Sequence, residues 1–147
     1  MRNIFVSLFA MASLMACASD TVTGSWMIER AEPAPWVAVG FVPDPGIVNR
    51  YVGQTVHFHA GRIDGPALLA CSNPNYVYGD VPAEGLFQGG LAEDAGAAAA
   101  KLGFVPPVRT LTTSCKHDIA FYLRDSGRAT FALDNVIFWM VRQKQSS

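Results

Sequence analysis

Two histidines, His57 and His59, stand two residues apart in a stretch with strand character, so both side chains project from one face. That spacing can begin a zinc or copper site. Val56 and Phe58 take the opposite face, toward a core, which leaves the histidines on the wetter side. A third ligand has to come from His117 or Asp118; without it the pair reads as two solvated imidazoles, and neither a metal nor a cofactor is expected. Asp44, Asp64, Asp80, Glu84 and Asp118 fall in turn-like segments, where acidic side chains cap or turn the backbone. The chain holds no Gly-x-Ser-x-Gly elbow, no His-Glu-x-x-His helix and no Gly-x-x-x-x-Gly-Lys loop. Cys115 precedes His117 by two residues, but adjacency in sequence is not nucleophile–base geometry. No catalytic residue is assigned, and the expectation is that the protein is not an enzyme.

Half of the 147 residues are apolar, 16% are charged and the formal net charge is −1. This balance suits a globular core and excludes a polyanion-binding surface, so no nucleic-acid partner is expected. The strongest signal is at the start: Arg2, then an apolar run from Ile4 to Ala16, then Cys17. Thirteen residues are too few for a bilayer, which needs about 20 in a helix. Residues 1–16 read as an export signal peptide and 17–147 as a single β-rich domain. Leu14-Met15-Ala16-Cys17 resembles the bacterial lipobox, which implies lipid attachment at Cys17 and a membrane partner through that lipid. Ala18, rather than an acidic residue, implies outer-membrane sorting with the body facing the periplasm. Ala16-Cys17-Ala18 also satisfies ordinary secretory cleavage before Ser19, so a soluble periplasmic or secreted form stays open. Either cut removes Cys17 from the thiol count and leaves Cys71 and Cys115 as a disulfide pair, the alternative being two buried thiols. Their bridge is worth at most about 4 kcal/mol on the chain-entropy model.

The elements are read from periodicity. Ile119, Phe121 and Leu123 alternate with polar or small neighbours, Asp125-Ser126-Gly127 turns the chain, and Ala129, Phe131 and Leu133 resume the alternation. Asp134-Asn135 then makes a tight turn into Val136–Arg142, apolar on both faces and hence buried inside a closed barrel or under a covering segment. Val108 to Ser114 is a further strand. Earlier strands are expected at Ser25–Arg30, Gln54–His59, Ala67–Cys71 and Tyr76–Tyr78. One helix is expected at about 91–102, with Leu91, Ala95, Ala98 and Leu102 on its apolar stripe. The fold class is mainly β: an antiparallel meander of about eight strands, closed or nearly closed into a small barrel.

Gly24-Ser25-Trp26 resembles the Gly-x-Trp opening of lipocalin-like barrels. The resemblance implies that Trp26 plugs one barrel end with Arg142, from the last strand, lying across its indole. Val56-His57-Phe58, Gly61-Arg62-Ile63-Asp64-Gly65, Cys71-Ser72-Asn73 and Tyr76 are similar to the META-domain lipoproteins, small bacterial envelope barrels, although Ser72 splits the Cys-Asn pair and the Leu86-Phe87-Gln88-Gly89-Gly90 stretch has no counterpart. The resemblances cover about a third of the mature chain and transfer no active site.

Surface function is sought in Pro33-Ala34-Pro35-Trp36, Phe41 and Pro43-Asp44-Pro45-Gly46, and in Tyr76, Tyr78 and Phe87, which can form a mouth for a small apolar ligand or a patch for a partner protein. The expected role is a non-enzymatic envelope lipoprotein acting by binding or envelope maintenance. Its rivals are a periplasmic inhibitor of a wall-cleaving enzyme such as lysozyme, and a lipid or small-molecule carrier. A carrier needs an open interior, which Phe58, Phe121, Phe131 and Phe138 are bulky enough to fill.

Overall fold

The computed structural model describes residues 21–91 and 93–144; the leader 1–16 and Cys17 lie outside the described residues. Nine strands form one antiparallel sheet: β1 (Gly24–Pro33), β2 (Thr55–Phe58), β3 (Arg62–Asp64), β4 (Cys71–Ser72), β5 (Val77–Val81), β6 (Val108–Thr112), β7 (Phe121–Asp125), β8 (Arg128–Leu133) and β9 (Val136–Arg142). Their order is β4-β3-β2-β1-β9-β8-β7-β6-β5, and the sheet curls through 223° into a half-barrel. The first strand therefore lies beside the last, with Trp26 opposite Arg142.

An odd number of alternating strands leaves both edges pointing the same way, so β4 and β5 run parallel in sense. A parallel pair needs a crossover of about a dozen residues. Only residues 73–76 separate β4 from β5, and no ladder forms between them. The two behave as one interrupted strand, whose first half pairs with β3 and whose second half pairs with β6. The seam is spanned in other ways: the Asn75 amide donates to Thr113 O at 2.9 Å, the Tyr76 hydroxyl donates to His59 O at 2.6 Å, and Cys71 is disulfide-bonded to Cys115.

At β9 both faces of the sheet are covered, which is why that strand is apolar on both. Val136, Phe138 and Met140 point into the curl with Ile28, Val56, Phe58, Phe121 and Phe131. The interior is solid with rings: Phe131 stacks on Phe138 at 5.0 Å and Phe58 meets Phe121 edge-on at 5.3 Å. Ile137 and Trp139 face outward, beneath a strap built from residues 83–91 and 93–104. The strap contains a kinked segment at Ala83–Gly89 and helix α2 (Ala95–Lys101), which Asp94 caps by accepting the Ala97 amide at 2.9 Å.

Several expectations shift in detail. The helix is shorter than 91–102: Ala95 and Ala99 are its buried residues, Ala98 and Leu102 pack half-buried against the same cluster, and Leu91 reaches it from the irregular chain before the cap. Ala67–Cys71 is not a strand: the Leu69 and Ala70 amides both fold back to Pro66 O, and pairing begins only at Cys71. Pro43-Asp44-Pro45-Gly46 is not a plain loop but the start of α1 (Pro45–Tyr51), with Asp44 as N-cap. α1 drives Tyr51 into the core against Phe131 and Phe138.

Candidate functional site

The densest polar construction is at the end of the sheet where β1 begins and β9 stops. Trp26 is 1% exposed, and its indole Nε1 donates to Val22 O at 2.7 Å. The Arg142 guanidinium lies over that indole, with Cζ 4.5 Å from the ring centroid. Its edge is committed to backbone carbonyls: Nε to Ser126 O at 2.8 Å, Nη1 to Thr23 O at 2.8 Å and Nη2 to Thr21 O at 2.5 Å. Gly24 makes room for this; its φ is +127°, and a Cβ there would lie 3.4 Å from Arg142 Nη1. The Val22 amide donates to the Tyr78 hydroxyl at 2.9 Å, so the N-terminal approach to β1 is anchored at this end by both Tyr78 and Arg142.

Beside the plug is a cavity of about 210 Å³ whose lining includes Thr21, Trp26, Val105, Arg109, Arg124 and Arg142. Arg124 lies over Trp139 at 5.0 Å and donates from Nε to Gly103 O at 3.3 Å, while Arg109 lies over Tyr78 at 4.9 Å. Burial, helped by the charge of Arg128, holds Arg124 below the usual arginine value. Burial acts to raise Asp125, but the Gly127 amide and Arg128 together hold its carboxyl below the usual range. No spacing in the sequence links the arginines, and in the ladders Arg109 stands opposite Leu123 and Arg142 opposite Trp26; the three share only the lining of this cavity.

The two cysteines meet across the seam, with Cα atoms 5.9 Å apart. His57 and His59 share the exposed face of β2 with their rings stacked 6.3 Å apart. Each has a partner: His57 Nδ1 lies 2.8 Å from Ser25 Oγ, and His59 Nε2 lies 3.2 Å from Asp64 Oδ2. Arg62 bonds the same oxygen at 2.8 Å and holds the Asp64 carboxyl below its ordinary value. His117 and Asp118 are not brought to this pair. They line a separate groove of about 260 Å³ near the Asp134-Asn135 turn, and among the described residues no group of three or more His, Cys, Asp or Glu side chains could hold a metal ion.

That groove has Trp36, Phe87 and Tyr122 along one side, Phe87 lying 5.5 Å from Trp36 and 4.5 Å from Tyr122. Of the seven non-glycine residues with positive φ among the described residues, five line it: Phe87, Gln88, Asp118, Asp134 and Asn135. Asp134 and Asn135 are explained by their two-residue hairpin turn. Beyond Trp36, the loop to α1 carries Val39 and Val42, both exposed, while Phe41 is half-buried. Tyr76 and Tyr78 serve the seam and the N-terminal approach instead of joining Phe87.

No protein-family model, no curated protein and no solved structure matches this chain.

Proposed function

We propose that this is an exported envelope lipoprotein, acylated at Cys17 and held at the outer membrane facing the periplasm, which works by binding rather than by catalysis. The observation that carries the reading is the Cys71–Cys115 bridge across the seam, since a structural disulfide at the one unpaired joint of a sheet suits an oxidising compartment. The anchored N-terminal approach adds to it. Thr21 and Val22 are tied to the plugged end. The Gly24–Trp26 opening with Arg142 across the indole agrees with the lipocalin-like and META-type resemblance, which remains part of this proposal. The ring-filled interior favours binding at the outer surface over carriage of a ligand within.

The test is the intact mass of protein purified from membranes. The expected species has lost residues 1–16, carries a diacylglyceryl group on Cys17 and shows the mass deficit of two hydrogens for the bridge. An unprocessed 15.8 kDa chain in the cytosol with every thiol reduced would overturn the proposal.

A further inference from the structure

We infer that the groove beside the Asp134-Asn135 turn binds a neutral sugar ring, which lays its apolar face on Trp36 and its hydroxyls on the polar rim. The inference gives a ligand class to the binding role proposed above and rests on that role, not on the lipid anchor. The groove exists because its floor is small: Ala120, just before β7, and Ala132, on β8, pack half-buried against the outward cluster and leave space above them. Trp36 and Phe87 form one wall. The strap passes close behind the indole, since a Cβ on Gly90 would lie 3.0 Å from Trp36 Cε3. The indole Nε1 donates to Asn135 Oδ1 at 3.0 Å, which fixes the ring against the turn. His117 and Asp118 line the groove from the chain before β7, and the Asp118 amide donates to Cys115 O at 3.0 Å, so this stretch is held next to the disulfide.

Charge and size narrow the ligand. Asp118 and Asp134 line the groove, and among the described residues no lysine or arginine does, so an anion is repelled. The volume of about 260 Å³ lies below the range of about 300–1,000 Å³ that holds drug-sized ligands, and suits one ring or the end of a chain. The rim is mixed and exposed: Gln88 and Asn135 carry amide donors and acceptors, while the two carboxylates only accept. Asn135 gives its Oδ1 to Trp36, which leaves its Nδ2 hydrogens for a ligand among the bonds described. A sugar ring answers this combination, with a face of C–H groups and an edge of hydroxyls that both donate and accept. An ammonium ion asks instead for open ring faces. Phe87 and Tyr122 do not offer them, being 7% and 5% exposed and packed together with centroids 4.5 Å apart. Gln88 and Asp118 lie outside the hairpin turn yet hold left-handed backbone, with φ of +58° and +43°, a conformation that recurs at ligand clamps.

The experiment uses the full-length, disulfide-intact chain carrying C17S, which cannot be acylated. Two signals report on the groove: the Trp36 indole Nε1–Hε1 resonance, assigned with W36F, and the Asn135 side-chain amide resonances. The probes are the methyl glycosides of glucose, galactose, mannose and N-acetylglucosamine, with glucuronate and tetramethylammonium for comparison. Saturable shifts of both signals are expected with at least one methyl glycoside, at the Kd of about 1 mM suited to so small a ligand. Glucuronate is expected to bind about tenfold more weakly, and D118N to recover part of that difference by removing a charge. A132L fills the floor, and D118G removes the carboxylate at a φ that glycine accepts. Each is expected to weaken the glycoside about tenfold with the rest of the spectrum unchanged. No shift with any of the four glycosides, shifts that persist unchanged in both A132L and D118G, or stronger binding of tetramethylammonium overturns the site. Such a result leaves export and acylation standing, because those are read from the intact mass of the membrane-purified protein and not from this titration.

Discussion

Cys71 and Cys115, 44 residues apart in the chain, are bonded across the only break in an otherwise continuous antiparallel ladder among the described residues. The bridge therefore does mechanical work that no strand pairing can do there, since β4 and β5 are parallel in sense with four residues between them. Replacing both cysteines by alanine is expected to lower unfolding free energy by up to about 4 kcal/mol, the chain-entropy ceiling for a loop of this length. Urea midpoints of oxidised and variant protein measure it. Hydrogen exchange should show the Asn75 amide, which bonds Thr113 O across the seam, losing protection before amides of β8 and β9.

Arg142 joins four parts of the chain: its ring face to Trp26, and its N–H groups to Thr21, Thr23 and Ser126. R142A loses a cation–π contact worth about 1 kcal/mol and leaves three carbonyls to water, for a combined loss of about 2–3 kcal/mol. R142K keeps the charge but not the fork, and is expected to recover less than half. Thermal unfolding of the two variants decides this; equal stability of R142K and the parent would show that charge alone suffices.

The parts of this architecture that were legible are those set by alternation. Phe121 to Arg142 reads correctly because every second residue is a core ring or aliphatic, and the double-faced β9 foretells the strap over Trp139. Trp26 and Arg142 are reached through the Gly-x-Trp resemblance, and the pairing of the first strand with the last sets them opposite each other. α1 was hidden although its signal was present: Asp44-Pro45 looks like a turn and is equally an N-cap followed by proline at the first helical position. The strap's left-handed run at Phe87 and Gln88 has no local sequence cause; it is imposed by packing Phe87 between Trp36 and Tyr122. The arginine cavity was illegible for a different reason, since Arg109, Arg124 and Arg142 sit on three strands and share no period.

Stability should fall at both extremes of pH. Asp125 and Asp64 are held below the ordinary carboxylate range in the fold, so their contribution is present above about pH 4 and fades as pH drops through their folded values. Burial, together with Tyr78, pushes Tyr76 up to about 12. An unfolded tyrosine ionises near about 10, so its contribution is complete below that pH and is lost as pH rises toward about 12. Burial moves Tyr51 and Tyr122 in the same direction. Chemical denaturation from pH 2 to pH 12 should trace a plateau with two falling limbs, D125N flattening the acid limb and Y76F the alkaline one.

Gly103 is required by both conformation and space. Its φ is +75°, and an added Cβ would collide with the Arg124 guanidinium. G103A is therefore expected to cost about 1–2 kcal/mol and to push Arg124 off the Trp139 ring. Tryptophan fluorescence of G103A against R124Q tests the second part: if the emission of the two variants matches, the glycine is positioning the arginine. A fully stable G103A with unchanged emission would mean that neither effect operates.

Thr130 lies on β8 between Tyr122 and Trp139, beneath the strap, with no exposed surface. Among the described residues its Oγ1 has no hydrogen-bond partner, and neither has the neighbouring Trp139 Nε1. A buried hydroxyl without a partner loses its hydration on folding and gains nothing in return, at a cost of about 1–3 kcal/mol. Valine has nearly the same shape and suits a strand. T130V is expected to raise stability by about 1 kcal/mol, while T130S, which keeps the hydroxyl and removes the methyl, should lower it by a similar amount. The pair separates packing from polarity: a stability loss in T130V would mean that the hydroxyl is bonded after all, and the obvious donor is the Trp139 indole beside it.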